Sequence, residues 1–144
     1  MSDSSITMTG NVVADPDLRY TPGGHAWCRF RLASSQRYYD ANSKQWKDAN
    51  TTFIDVVAWR ALAEHVAESV ERGSRVVVHG RLVQRSWDDK DGVKQYRYEI
   101  DADEVAASLR MATVTIQRST RAGADQHTTQ PAAGTETRRE PTAA

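Results

Sequence analysis

The 144-residue sequence predicts an all-β fold: a five-stranded barrel with one helix between the third and fourth strands, plus a disordered C-terminal tail. Three observations carry that prediction. Apolar and polar residues alternate with period 2 in five separate runs. Helical spacing occurs in one place only, between the third and fourth of those runs. Clusters of Pro, Gly and Asp punctuate the chain where strands must reverse.

The chain is organised around residues 50–66, NTTFIDVVAWRALAEHV. From Phe53 to Trp59 the side chains alternate as a strand requires. Ile54, Val56 and Ala58 point one way, toward a core. Phe53, Asp55, Val57 and Trp59 point the other way, and two flat rings flanking a carboxylate suit stacking better than packing. From Ala61 the period changes, and Leu62, Val66 and Val70 mark a helix with Arg72 in its last turn and Gly73 at its C-cap.

The other strands follow in order. Residues 4–14 alternate around Gly10, which suggests a bend or close backbone approach. Residues 15–24, DPDLRYTPGG, read as a turn. The second strand, 25–36, turns Ala26, Cys28, Phe30 and Leu32 inward and Trp27, Arg29 and Arg31 outward. Residues 37–51 lack a period and read as a long hairpin loop or flexible strand ends. The fourth strand, 74–87, sets Val76, Val78, Gly80 and Leu82 against Val77, His79, Arg81, Val83, Arg85 and Trp87. Asp91-Gly92 marks a hairpin turn, and the fifth strand, 93–106, sets Tyr96, Tyr98 and Ile100 against Arg97 and Glu99. Residues 109–116 could add a sixth. After about residue 118 no apolar period remains and the composition is that of a disordered tail. Residues 1–118 therefore form one domain and 119–144 a tail. Five strands with a helix between the third and fourth have the layout of an OB-fold barrel. A doubly wound sheet would need several helices.

Composition narrows the function. Lys+Arg and Asp+Glu both total 19, so a basic groove, if present, is local. The single cysteine, Cys28, permits no intrachain disulfide and no cysteine-based zinc site. No apolar run is long enough to span a membrane and the N-terminus is not a signal peptide, so the chain reads as cytoplasmic. No histidine pairs with a nucleophile motif, and no Gly-rich phosphate loop occurs. The acidic run Asp101, Asp103, Glu104 reads as a solvated strand end. No catalytic residue, metal or cofactor is expected.

Binding is better supported. Trp27, Tyr38, Tyr39, Trp46, Phe53, Trp59 and Trp87 all lie off the predicted core face, interleaved with basic residues. Rings that stack bases, with Arg and Lys following phosphates, suit a single nucleic-acid strand without sequence preference. Strand parity nominates Arg29, Arg31, Arg37, Lys47, Arg81 and Arg85 as phosphate partners. No basic helix is present for a duplex major groove. An RNA-binding or protein-interaction module with the same rings remains open on these grounds.

The segments MTGNVVADPDLRYTPGG, FRLASS, TTFIDVVAWRALAEHV and GSRVVVHGRL, with the RSW…DG…Y run, resemble the bacterial single-stranded DNA-binding protein family, collinearly over residues 5–108. The resemblance implies an OB-fold homotetramer that binds single-stranded DNA in replication, recombination and repair, associated with the nucleoid. It implies stacking on Tyr38, Phe53, Trp59 and Trp87. Arg37 and Arg85 fall where family members carry basic contacts, whereas Asp55 stands where they often have Arg and Ile54 where they often have a subunit-contact His. LRMATVTIQ, 109–117, resembles an extra strand by which actinobacterial members clamp neighbouring subunits. The terminal TRREPTAA lacks the family's acidic, Phe-ended tip. Recruitment of repair and replication enzymes through such a tip is therefore not expected, and the chain resembles a paralogous copy of the kind some actinobacteria carry.

Overall fold

The computed structural model describes residues 3–119. Its elements are β1 (Ser5–Val12), β2 (Asp17–Tyr20), β3 (Ala26–Asp40), β4 (Gln45–Trp59), α1 (Arg60–Ser69), β5 (Arg75–Asp88) and β6 (Lys94–Ala107). The sheet runs β1-β5-β6-β4-β3-β2, and β1 also pairs with β3 through Asn11↔Ala33 and Val12↔Leu32. That second pairing closes β1, β5, β6, β4 and β3 into a five-stranded barrel, the closure of an OB-fold. The helix lies between β4 and β5, as the change of period at Ala61 predicts.

Closure depends on β1 serving two partners. Its residues Ser5–Asn11 pair with β5, and at Asn11 it crosses to β3. Gly10 sits at that crossing, and a Cβ there would overlap the Ala33 carbonyl. Gly80 stands at the β5–β6 register shift, where a Cβ would overlap the Asp101 carbonyl. Both positions therefore require glycine because two backbones meet there.

The interior is filled by the residues that alternation turned inward. Ala26, Cys28, Phe30 and Leu32 of β3, Ile54, Val56 and Ala58 of β4, Val76 and Val78 of β5 and Ile100 of β6 are buried together with Ala63 and Val66 of α1. Cys28 is 0% exposed, and burial, aided by Asp17, pushes its thiol up to about 11. It is a packing residue and a poor nucleophile.

Four expectations need correction. Residues 17–20, read as turn, form β2, which pairs with Ala26–Arg29 along the edge of β3. The Thr21–His25 reversal, closed by backbone bonds at both ends, makes the strand possible. Residues 37–51, read as a hairpin loop or flexible strand ends, are not a loop: they are the strand ends, and so the distal arm, of a β3–β4 hairpin that stays paired out to Asp40↔Gln45. The arm lacks an apolar period because neither of its faces covers a core. The helix ends at Ser69 rather than Gly73, so Arg72 is not in its last turn. Gly73 instead donates its N–H to Val12, and the Arg72 N–H goes to Asp15. Finally, residues 109–116 add no sixth strand to the sheet of this chain. No strand of the same chain pairs with them, and an unpaired backbone does not make a sheet; a clamp over 109–117 would pair with a neighbouring subunit.

Residues 3–114 belong to one compact unit; residues 115–119 fall outside it and have no helix or strand. Most of the predicted tail, from residue 120 onward, lies outside the described residues.

Candidate nucleic-acid interface

The strand order β5-β6-β4-β3 makes one continuous outer face. On β3 and β4 the outward pairs are Trp27↔Trp59, Arg29↔Val57, Arg31↔Asp55 and Ala33↔Phe53. On β5 and β6 they are Arg81↔Asp101, Val83↔Glu99 and Arg85↔Arg97, with Trp87 opposite Gln95. The parallel pairing of β4 with β6 joins the two halves, setting Asp55 beside Glu99 and Val57 beside Asp101. Rings and guanidinium groups far apart in sequence thereby share one surface.

Trp59 is held at a sharp reversal. It is the last residue of β4 and the N-cap of α1, and Arg60 after it takes φ 59°, in the left-handed region. The chain turns from strand to helix in a single residue, which holds the indole at the rim, 44% exposed. Trp59 lies between two depressions. One, of about 480 Å³, is lined by Trp27, Trp59 and Trp87 over Val57, with Arg29, Arg85, Arg97 and Glu99 around them. The other, of about 500 Å³, holds Arg60, Arg81, Asp101 and His25 on its far side.

Most of the basic residues on this face are paired with carboxylates. Glu99 is only 3% exposed and sits between Arg29 (Nη2 to Oε2, 3.4 Å) and Arg85 (Nε to Oε1, 2.6 Å). A carboxylate that dry would be costly without paired charge. Arg85 and Arg97 face each other across the β5–β6 ladder, a repulsive cross-strand pair. Glu99 offsets one of them, and Asp55 lies 3.7 Å from Nε of the other. Asp101 engages Arg81 at 3.5 Å and Arg85 at 3.9 Å. On the arm, Arg37 pairs with Asp48 at 3.2 Å and Lys47 with Asp40 at 2.8 Å. The Lys47 contact holds the Asp40 carboxyl below its usual range.

The predicted residues fall into three groups. Trp59, Trp87, Arg29 and Arg85 meet in one cleft. Phe53 and Arg31 meet farther up the same hairpin, with the guanidinium 4.9 Å from the ring centroid. Tyr38, Arg37 and Lys47 lie out on the arm, where Tyr38 is opposite Lys47 and Tyr39 packs edge-on against Trp46 at 5.6 Å. Arg81 flanks the second depression. Asp55, read as an acid between the rings, is taken up by Arg97, and Ile54 is buried in the barrel's own core.

Three members of the cleft were not chosen from sequence. Arg97 lies 5.0 Å from the Trp87 ring centroid, Trp27 lies 6.4 Å from Trp59, and Glu99 ties two arginines together. Parity put all three on outward faces, but it gave no sign of which faces would adjoin. Among the described residues no group of three or more His, Cys, Asp or Glu side chains is placed to hold a metal ion. Nor is any helix long and apolar enough to cross a membrane.

An OB-fold barrel carrying aromatic rings interleaved with arginines on one face defines a class of strand-binding modules. The profile of the single-strand binding protein family matches residues 3–108, and the chain belongs to that family. It is 49% identical over 121 residues to "Single-stranded DNA-binding protein 2" of Streptomyces coelicolor, covering 84% of this chain and 61% of that protein. It is 46% identical over 123 residues to the single-stranded DNA-binding protein of Corynebacterium glutamicum, covering 85% and 55%. It thus spans less than two thirds of the length of either relative. Among solved structures, the small single-stranded DNA-binding protein from Streptomyces coelicolor matches with a TM-score of 0.65 at 37% identity. That match covers 76% of this chain and 97% of that one.

Proposed function

We propose that this chain binds and protects single-stranded DNA without sequence preference, as a non-enzymatic homotetramer in replication, recombination and repair. The observation that carries the reading is the cleft in which Trp59 and Trp87 stand with Arg29, Arg85 and Arg97 on one face of the barrel. Bases stack on the rings and phosphates run along the guanidinium groups, with Phe53 and Tyr38 extending the path toward the arm. Every base has a π-face, so such a surface tolerates any sequence. Family membership and the names of the relatives support the same reading. The cytoplasm, at the nucleoid, is where such a protein would act. Titration with oligothymidine, followed by tryptophan fluorescence at low salt, tests it. Quenching with saturation is the expected result; an unchanged emission sinks the proposal. An RNA oligomer of matching length, run in parallel, separates DNA from RNA preference.

A further inference from the structure

The geometry points to Trp27 as a further stacking residue that, with Trp59 and Trp87, bounds a slot for one unstacked nucleobase of the bound strand. This rests on the reading of the face as a single-strand interface, and it adds a ring that the family resemblance does not single out. Trp27 lies directly across from Trp59 in the β3–β4 register. Their ring centroids are 6.4 Å apart and the planes are inclined by 36°. Two rings in a parallel offset stack would cover each other's faces. At this inclination they do not stack on each other, and both rings line the cleft of about 480 Å³ that Trp87 bounds on the β5–β6 side.

The ordinary role for Trp27 would be packing beneath Trp59, and the core does not support it. The chain neighbours Ala26 and Cys28 are buried, but Trp27 belongs neither to the buried core nor to the partly buried side chains packed against it. Its ring instead carries the Arg29 guanidinium, 5.6 Å from the centroid. Glu99 in turn fixes Arg29 and Arg85 at the edge of the slot. A base in the cleft, against one of these rings, would have its flanking phosphates near Arg29, Arg85 and Arg97, while Val57 forms an apolar floor, 4% exposed.

The test separates a ring from mere bulk. Trp27→Leu keeps an apolar side chain beside Trp59 and removes the π-face; Trp27→Phe keeps the face. For oligothymidine we expect the leucine variant to lose about 5- to 150-fold in affinity, the worth of one stacked base, and the phenylalanine variant to stay within about twofold of the parent. Leucine binding as tightly as the parent overturns the proposal. So does a weakening accompanied by a changed mass in sedimentation, which would assign Trp27 to assembly. A second measurement uses the four tryptophans of the chain. With Trp46→Phe, Trp59→Phe and Trp87→Phe combined, Trp27 is the remaining indole. Quenching of its emission by oligothymidine is expected, and unquenched emission from a variant that still binds overturns the proposal. If the parent fails to bind oligothymidine at all, the underlying functional reading falls. If Trp59→Ala weakens binding and Trp27→Leu does not, only the Trp27 proposal falls.

Discussion

Nε of Arg85 lies 2.6 Å from Oε1 of Glu99, a carboxylate 3% exposed on a strand face that otherwise points to solvent. The other oxygen of Glu99 faces Arg29. One buried acid thus sets the position of two cations from opposite halves of the barrel. Glu99→Gln keeps the shape and removes the charge. Breaking a fully buried pair costs about 3–5 kcal/mol. The two guanidinium groups are 39% and 51% exposed, so solvent screens part of that loss. We expect a loss of about 1–3 kcal/mol in denaturant unfolding. Unchanged stability would show that Glu99 is spare in the fold.

The same pairing sets the salt dependence of binding. If six free cations each met a phosphate, log K would fall against log salt with a slope near −4, about 0.7 per contact. Five of the six predicted partners already face a carboxylate. The slope should therefore be shallower than that. Asp55→Asn releases Arg97, and should raise affinity for oligothymidine and steepen the slope by up to roughly 0.7. Titrations at several salt concentrations read both effects. A slope unaltered by Asp55→Asn would mean that Arg97 stays off the strand.

Trp59 is presented by the strained reversal at Arg60. Trp59→Ala should weaken single-strand binding by about 1–3 kcal/mol with little change in melting temperature, because the ring is not part of the core. Equal affinity would make Trp59 a packing residue and displace the proposed path.

Gly80→Ala and Gly10→Ala would each drive a Cβ into a neighbouring carbonyl. The collision is with backbone, so neither position can relieve it by a side-chain rotation. Each substitution should destabilise by about 1–3 kcal/mol or more, measured by thermal unfolding. If alanine were tolerated at Gly10, the β1 crossover would have to be looser than the register implies.

Cys28 gives the alkaline limit. Its thiol is raised to about 11 by burial, so the folded state holds the proton more tightly than the unfolded chain does. The stability that follows is complete below the unfolded value of about 8.5 and is lost as pH rises toward the folded value. Unfolding midpoints should fall between about pH 9 and 11, and Cys28→Ala should flatten that part of the profile. In the native protein at neutral pH the thiol should resist alkylation until the barrel opens.

Alternation and punctuation alone made the barrel legible in the chain. Period-2 runs with buried even-numbered residues on β3 and β4, one helical run at Ala61, and Asp91-Gly92 at a turn are local signals, and each survives in the fold. The outward rings Phe53, Trp59 and Trp87 were legible for the same reason, since parity is a property of the strand. The arm at residues 37–51 and the short β2 were not. Their pairing depends on the opposite strand's backbone, and no hydrophobic period announces it.

What the sequence by itself determined is which side chains face out and which fill the interior, because pleat and helical period act over a few residues. Only the tertiary structure decided which outward groups meet. Arg29 and Glu99 are 70 residues apart, and Arg97 reaches Asp55 only because β6 runs parallel beside β4. Coulomb attraction over a few ångströms has no signature in strand parity. A list of outward arginines therefore reads as free phosphate contacts until barrel closure brings the acids among them.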